Sequence, residues 1–184
     1  MFLVRSGLQN RLNAIAFWRA EANSVQRNIQ EIWKRPMINI EQVDHLGIRV
    51  TDPQRALDFY KILGFETHLE VDFDAVIIIK NSRDVEINLI VNGVDLTEGK
   101  NILMDVPEKH PGYTHVALRV DSIIETLKTL EANNITPSQG PVTFGGDGHV
   151  SVFIRDPDRN VIELRGRMED ESKIPGLVFY NPEA

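Results

Sequence analysis

Apolar and polar residues alternate in two stretches, Asp44-His45-Leu46-Gly47-Ile48-Arg49-Val50 and Thr114-His115-Val116-Ala117-Leu118-Arg119-Val120. Side chains of a strand point alternately to opposite faces, so each stretch predicts a half-buried strand, over 43–50 and 113–120. His45, Gly47 and Arg49 would share one face and Leu46, Ile48 and Val50 the other; Tyr113, His115, Ala117 and Arg119 share the corresponding face of the second copy. The two copies predict two equal modules. After the first, Asp52 followed by Pro53 opens a helix that Gly64 ends, with Ala56, Leu57, Tyr60 and Leu63 on its buried stripe. After the second, Ser122 with Glu125 three residues later opens a helix in a capping-box pattern, and Asn133-Asn134 ends it. Alternating runs at 65–71, 75–80 and 84–91, and near 136–143, 149–155 and 161–167, predict three further strands per module. The turn signals Gly145-Gly146-Asp147-Gly148 and Asp156-Pro157-Asp158-Arg159-Asn160 bound the second set. The fold class is α+β, as two paired βαβββ modules.

Outside the modules the spacing changes. Leu8, Leu12, Ile15, Trp18, Ala22, Val25, Ile29 and Ile32 or Trp33 step by three and four, which predicts a long amphipathic helix within residues 1–40, stopped by Pro36. Such a helix is expected to pack on the body or on a second subunit. Module one then occupies 42–92, a connecting loop with Pro107 and Pro111 occupies 93–112, and module two occupies 113–167. The tail, 168–184, is acidic and loop-like, except that Leu177-Val178-Phe179-Tyr180 is expected to dock on the body.

Composition narrows the function. The chain has 184 residues, 42% hydrophobic and 26% charged, the balance of a soluble globular protein. A net charge of −7 and no basic cluster with interleaved aromatics argue against nucleic acid. The absence of cysteine removes disulfides, thiolate metal sites and cysteine nucleophiles, so any metal here is held by nitrogen and oxygen. No run approaches the roughly 18 apolar residues of a membrane span, and the start lacks an uninterrupted signal-peptide core. A cytoplasmic protein with no membrane partner is expected.

Both histidines stand two residues before a residue with little or no side chain, which leaves space in front of the imidazole. The last strand of module two turns Glu163 away from Ile162 and Leu164, and the matching triplet of module one, Ile87-Asn88-Leu89, puts Asn88 at the corresponding place. The repeat therefore offers His45, His115, Glu163 and, at a weaker fourth corner, Asn88; Glu86, on the same strand face as Asn88, is an alternative fourth ligand or base. Two neutral imidazoles and one carboxylate suit a divalent first-row metal with open coordination sites.

His45 with its following helix, Tyr113-Thr114-His115-Val116-Ala117-Leu118, and Phe153-Ile154-Arg155-Asp156-Pro157-Asp158-Arg159-Asn160-Val161-Ile162-Glu163-Leu164 together resemble the vicinal oxygen chelate superfamily. That superfamily includes glyoxalases, bleomycin-resistance proteins and extradiol dioxygenases, and the resemblance covers about residues 42–167. It implies modules cupped around one divalent metal ion, a small oxygenated substrate and a homodimer. Likeness to the extradiol dioxygenases implies Fe2+ at His45, His115 and Glu163; Ni2+, Mn2+ and Zn2+ are the other candidates. His149, on the strand face of Ser151 and Phe153, is then the candidate base for a phenolic proton. Dioxygenase-like activity is the leading expectation, although such enzymes look as if they place tyrosine where Phe153 stands and glycine where Arg159 stands. The alternative is a glyoxalase I-like lyase (lactoylglutathione lyase). Arg49 and Asn92 match positions that contact glutathione there, and Arg119 repeats Arg49, but that enzyme looks as if it needs glutamate at Asn88. In another class stands a metal-free ligand-binding protein of the bleomycin-resistance kind.

Overall fold

The structure is a computed structural model and describes residues 21, 26, 38–71 and 73–181. The chain divides into two units, Met1–Gln42 and Val43–Ala184. In the first, Glu21 and Gln26 are helical; the rest of the helix expected within 1–40, its apolar stripe included, lies outside the described residues.

The second unit carries the fold. Module one runs β1 (Leu46–Arg49), α1 (Pro53–Ile62), β2 (Phe65–Val71), β3 (Val76–Asn81) and β4 (Glu86–Ile90). Module two runs β5 (Val116–Arg119), α2 (Ile123–Ala132), β6 (Gln139–Thr143), β7 (His149–Arg155) and β8 (Val161–Arg167). The sheets have the same strand order, β1-β4-β3-β2 and β5-β8-β7-β6, the second extended by β9 (Val178–Phe179). In each, the first strand pairs in parallel with the last, so β1 and β5 are edge strands with one neighbour. The α+β class and the repeated βαβββ order agree with the expectation from the sequence.

Local chemistry accounts for the helix ends. The Asp52 carboxylate accepts from the Arg55 N–H at 3.0 Å with Pro53 in the first turn, and Gly64 takes the left-handed φ of 86° that ends α1. Its buried stripe is Ala56, Phe59 and Tyr60, while Leu57 and Leu63 are half-buried against the same core. Ser122 caps α2 through the Glu125 N–H at 3.1 Å, but Glu125 binds Lys128. The carboxylate that covers the exposed N–H groups is Glu169, which accepts from Ile123 at 2.6 Å and Ile124 at 3.3 Å. Half of the expected capping box is thus supplied from beyond β8.

Several strands are shorter than expected or shifted by a residue, and the tail differs too. β1 and β5 start one residue after His45 and His115, because ladder pairing begins at Leu46 with Ile87 and at Val116 with Ile162. The stretch 136–138 stays outside β6. The tail is more ordered than a loop: Glu171–Lys173 forms a 3-10 turn, β9 pairs in parallel with β6, and Tyr180 packs on Phe144 at 5.1 Å between centroids.

No ladder joins the two sheets, and one continuous apolar cluster runs through both modules, from Ile48 and Leu89 to Ile162 and Leu164. A polar clamp adds to it. Tyr60 of α1 donates to Asp156 Oδ2 at 3.0 Å, within the turn between β7 and β8. Asp156 also accepts from Asn160 N and Nδ2, each at 2.8 Å, and from Asp158 N at 3.0 Å. Thr51 at 2.5 Å and Arg55 at 3.0 Å reach Asp158 from module one. Burial pushes the Asp156 carboxyl up, and it pushes the Tyr60 phenol up as well, with the Asp156 charge adding to the latter. Arg159 holds a left-handed φ of 67° in this turn, a conformation that glycine adopts at lower cost. The connecting loop is fastened nearby, where Arg155 at 2.9 Å and Arg159 at 3.4 Å meet Asp105.

Tyr60→Phe removes a buried donor while keeping the ring, and is expected to cost about 1–3 kcal/mol in urea unfolding. A change below roughly 0.5 kcal/mol, the range of ordinary surface substitutions, would show that the clamp is not structural. At Asp105 burial pushes the carboxyl up, but the Asn101 N–H and the two guanidiniums outweigh it and hold the group below its ordinary value. Its contribution to stability is therefore present above the unfolded value, about 3.9, and lost as pH falls through the folded one. Asp105→Asn is expected to be less stable than wild type at pH 7, the two converging in acid; a stability difference that stays constant from pH 7 down through the carboxylate range would contradict this.

Candidate metal centre

The parallel pairing of β5 with β8 sets Ala117 beside Glu163, and residues two apart lie on one face. His115 consequently meets Glu163, with Nε2 3.1 Å from Oε2, and its ring stands edge-on to Phe153 at 5.7 Å. Glu163 is only 6% exposed. A carboxylate so far out of water has to be partnered. Its second oxygen, Oε1, accepts from Ser151 Oγ at 2.5 Å and lies 3.5 Å from Arg165 Nη1.

Module one repeats the arrangement with a different outcome. β1 beside β4 pairs Gly47 with Asn88, so His45 and Asn88 hold the positions of His115 and Glu163. Asn88 Oδ1 is buried and has no hydrogen-bond partner. His45 Nδ1 bonds its neighbour Asp44 Oδ2 at 2.8 Å, and the imidazole is half exposed. The space expected beside it is present: a Cβ on Gly47 would meet nothing nearer than Ile90 Cδ1 at 3.6 Å. The structure thus unites His115 with Glu163 and leaves His45 apart; among the described residues no three His, Cys, Asp or Glu side chains gather at one point. Each module presents half of a donor set.

The other candidates fall into place around these halves. Glu86 is tied to Lys80 at 2.9 Å. His149 is half-buried on the strand face of Ser151, with Nδ1 2.8 Å from the Asp147 carbonyl. Arg49 and Asn92 are exposed. Arg119 lines a cavity of about 620 Å³ floored by Phe65, Leu118 and Leu130 and rimmed by the Arg83–Asp121 ion pair; neither His115 nor Glu163 borders it. Site residues not singled out from the sequence are Ser151, Arg165 and Asp147. Ser151 and Arg165 are paired across β7 and β8, and Arg165 bonds Asp147. The His149 backbone N–H, then burial acting the other way and the Arg165 guanidinium, leave the Asp147 carboxyl below its usual range. The available signal was Ser151, a lone hydroxyl between Val150 and Val152, diagonal to Glu163 on a neighbouring strand.

Two βαβββ modules, each with a histidine beside the last strand of its sheet, make up the part of the chain that the comparisons match. Residues 42–164 match the family model of the Glyoxalase/Bleomycin resistance protein/Dioxygenase superfamily, and the chain belongs to that family. It is 32% identical over 130 residues to the glyoxalase domain-containing protein RDO1 of Mycosarcoma maydis, covering 69% of either chain. It is 31% identical over 132 residues to a lactoylglutathione lyase of Escherichia coli O157:H7, covering 65% of this chain and 88% of that one. The fold is shared with a glyoxalase/dioxygenase from Nostoc punctiforme, at TM-score 0.58 and 21% identity over 73% of this chain and 99% of that one. No helix of the described residues is long and apolar enough to cross a membrane.

The donors suit a divalent metal: two imidazoles, a buried carboxylate and an orphaned amide oxygen. An unsatisfied buried acceptor costs about 1–3 kcal/mol, so Asn88→Leu is expected to raise the stability of the metal-free protein by about 1 kcal/mol. Thermal unfolding checks this, and a lower melting temperature would mean that Asn88 is held by the fold itself.

Proposed function

We propose that the protein is a metal-dependent enzyme acting on a small molecule with two neighbouring oxygen donors, with dioxygenase-like chemistry of the extradiol type as the leading reading. The observation that carries it is the donor set, two histidines and one carboxylate, with a neutral amide at the fourth corner. Three protein ligands leave coordination positions for a bidentate substrate, and an amide cannot act as a base at neutral pH. A bound divalent ion, Fe2+ in this reading, would act as a Lewis acid on the substrate oxygens. His45, His115 and Glu163 would hold it, Asn88 would orient or weakly ligate, and His149 would take a proton from a substrate hydroxyl.

The centre closes between two copies of the chain in this reading. His45 stands apart from His115 and Glu163, β1 and β5 are open edges, and Val43 and Tyr113, two residues before the histidines, are 84% and 99% exposed. A second copy would bring one chain's His45 to the other's Glu163 and cover this surface. Mixing His45→Ala and Glu163→Ala chains, each inactive alone, is then expected to restore part of the activity by forming one intact centre per mixed dimer.

The lactoylglutathione lyases among the relatives favour a second reading, proton transfer within a glutathione hemithioacetal. Protein purified without chelator is expected to retain one divalent ion per centre, lost in Glu163→Ala. With iron it should consume oxygen on addition of a catechol and leave the hemithioacetal of glutathione unchanged. Turnover of the hemithioacetal with nickel or zinc, and none of the catechol, would replace the lead by the lyase. Absence of metal binding would leave a ligand-binding protein of the bleomycin-resistance kind.

A further inference from the structure

We infer that Ser151 and Arg165 are positioning residues that hold one oxygen of Glu163 so that only the other is presented to the metal. The inference rests on the metal reading above. Ser151 is wholly buried, on a strand whose inward neighbours Val150 and Val152 are apolar, and its hydroxyl donates to Glu163 Oε1 at 2.5 Å. Arg165 is paired with Ser151 across β7 and β8, and its Nη1 lies 3.4 Å from Ser151 Oγ and 3.5 Å from Glu163 Oε1. The guanidinium is itself anchored by Asp147. Asp147 in turn receives the His149 N–H at 3.0 Å, so the glycine-rich turn before β7 is tied into the same set. Of these contacts, those of Ser151 and Arg165 meet at Oε1. Oε2 is the oxygen turned toward His115.

A carboxylate bound through both oxygens fills two coordination positions, and one bound through a single oxygen fills one. With Oε1 occupied by a hydroxyl and a guanidinium, Glu163 is restricted to the second mode, and the extra position stays open for the substrate. Hydrogen-bonded partners of metal ligands orient them, and their loss commonly lowers metal affinity by roughly 10- to 100-fold. Module one lacks such an arrangement among the described residues: Asn88 Oδ1, at the equivalent place, has no hydrogen-bond partner.

The test uses the full-length chain and Co2+ as probe, read by calorimetry and by the visible absorption of the bound ion, which reports coordination number. Wild type is expected to bind one ion per centre and Glu163→Ala none. Ser151→Ala should bind roughly 10- to 100-fold more weakly, with an absorption spectrum shifted toward higher coordination as Glu163 becomes free to bind through both oxygens. Ser151→Cys, which keeps the volume and a weaker donor, should fall between. Arg165→Met, at a half-exposed position, repeats the test without disturbing the core and should shift affinity and spectrum in the same direction. If wild type and both Ser151→Ala and Arg165→Met bind Co2+ with the same affinity and spectrum, the positioning role is overturned while the metal centre stands. If wild type binds no divalent ion, the metal reading fails and this inference with it.

Discussion

The buried contact of Tyr60 with Asp156 is the constraint through which the rest of the structure is arranged. The two sheets share no ladder, so their relation depends on apolar packing and on whatever directional contacts cross it. Apolar packing is non-directional, whereas a phenol held by a carboxylate that also organises its own turn adds a directional contact between the modules. Thr51 and Arg55 on Asp158, and Asp105 on Arg155 and Arg159, extend the clamp along the module boundary. The turn they hold connects β7 to β8, the strands that carry Ser151 and Glu163. The same group of side chains thus joins the modules and fixes the turn from which β7 and β8 run.

The contacts of Glu163 follow from what a buried carboxylate requires. Glu163 can remain in the sheet only if its oxygens are occupied, and the structure occupies them unequally: one with the Ser151 hydroxyl and the nearby Arg165 guanidinium, the other with the His115 imidazole. Asn88, at the equivalent place, carries no charge and its oxygen stays unpaired. The two modules thus share one backbone order and differ in polar chemistry. One module carries a held carboxylate, the other an unpaired amide oxygen and a half-exposed imidazole.

Much of this was legible from residue order. Period-two alternation around His45 and His115, the Asp52-Pro53 and Ser122 helix starts, Gly64 and the Asp-Pro-Asp turn are local signals. They act within a few residues, so the elements they specify form in nearly the expected places. The kinship of Glu163 with His115 was also readable, because pairing a first and last strand in each repeat leaves few alternatives.

Contacts between residues distant in sequence were not readable. Glu169 replaces Glu125 at the start of α2 because the chain after β8 returns to that helix end, and no local pattern records such a return. Glu86, equal to Asn88 as a ligand by strand parity, is taken by Lys80 because β3 lies antiparallel to β4 in that register. Ser151 and Arg165 gained their roles in the same way, through pairing of β7 with β8. The sequence by itself determined the elements, their repetition and the chemical kinds of donor, since these depend on side-chain period and short-range sterics. Only the tertiary structure decided which donors meet, which are already engaged and that His45 stands apart within one chain, because those outcomes depend on strand register and module packing.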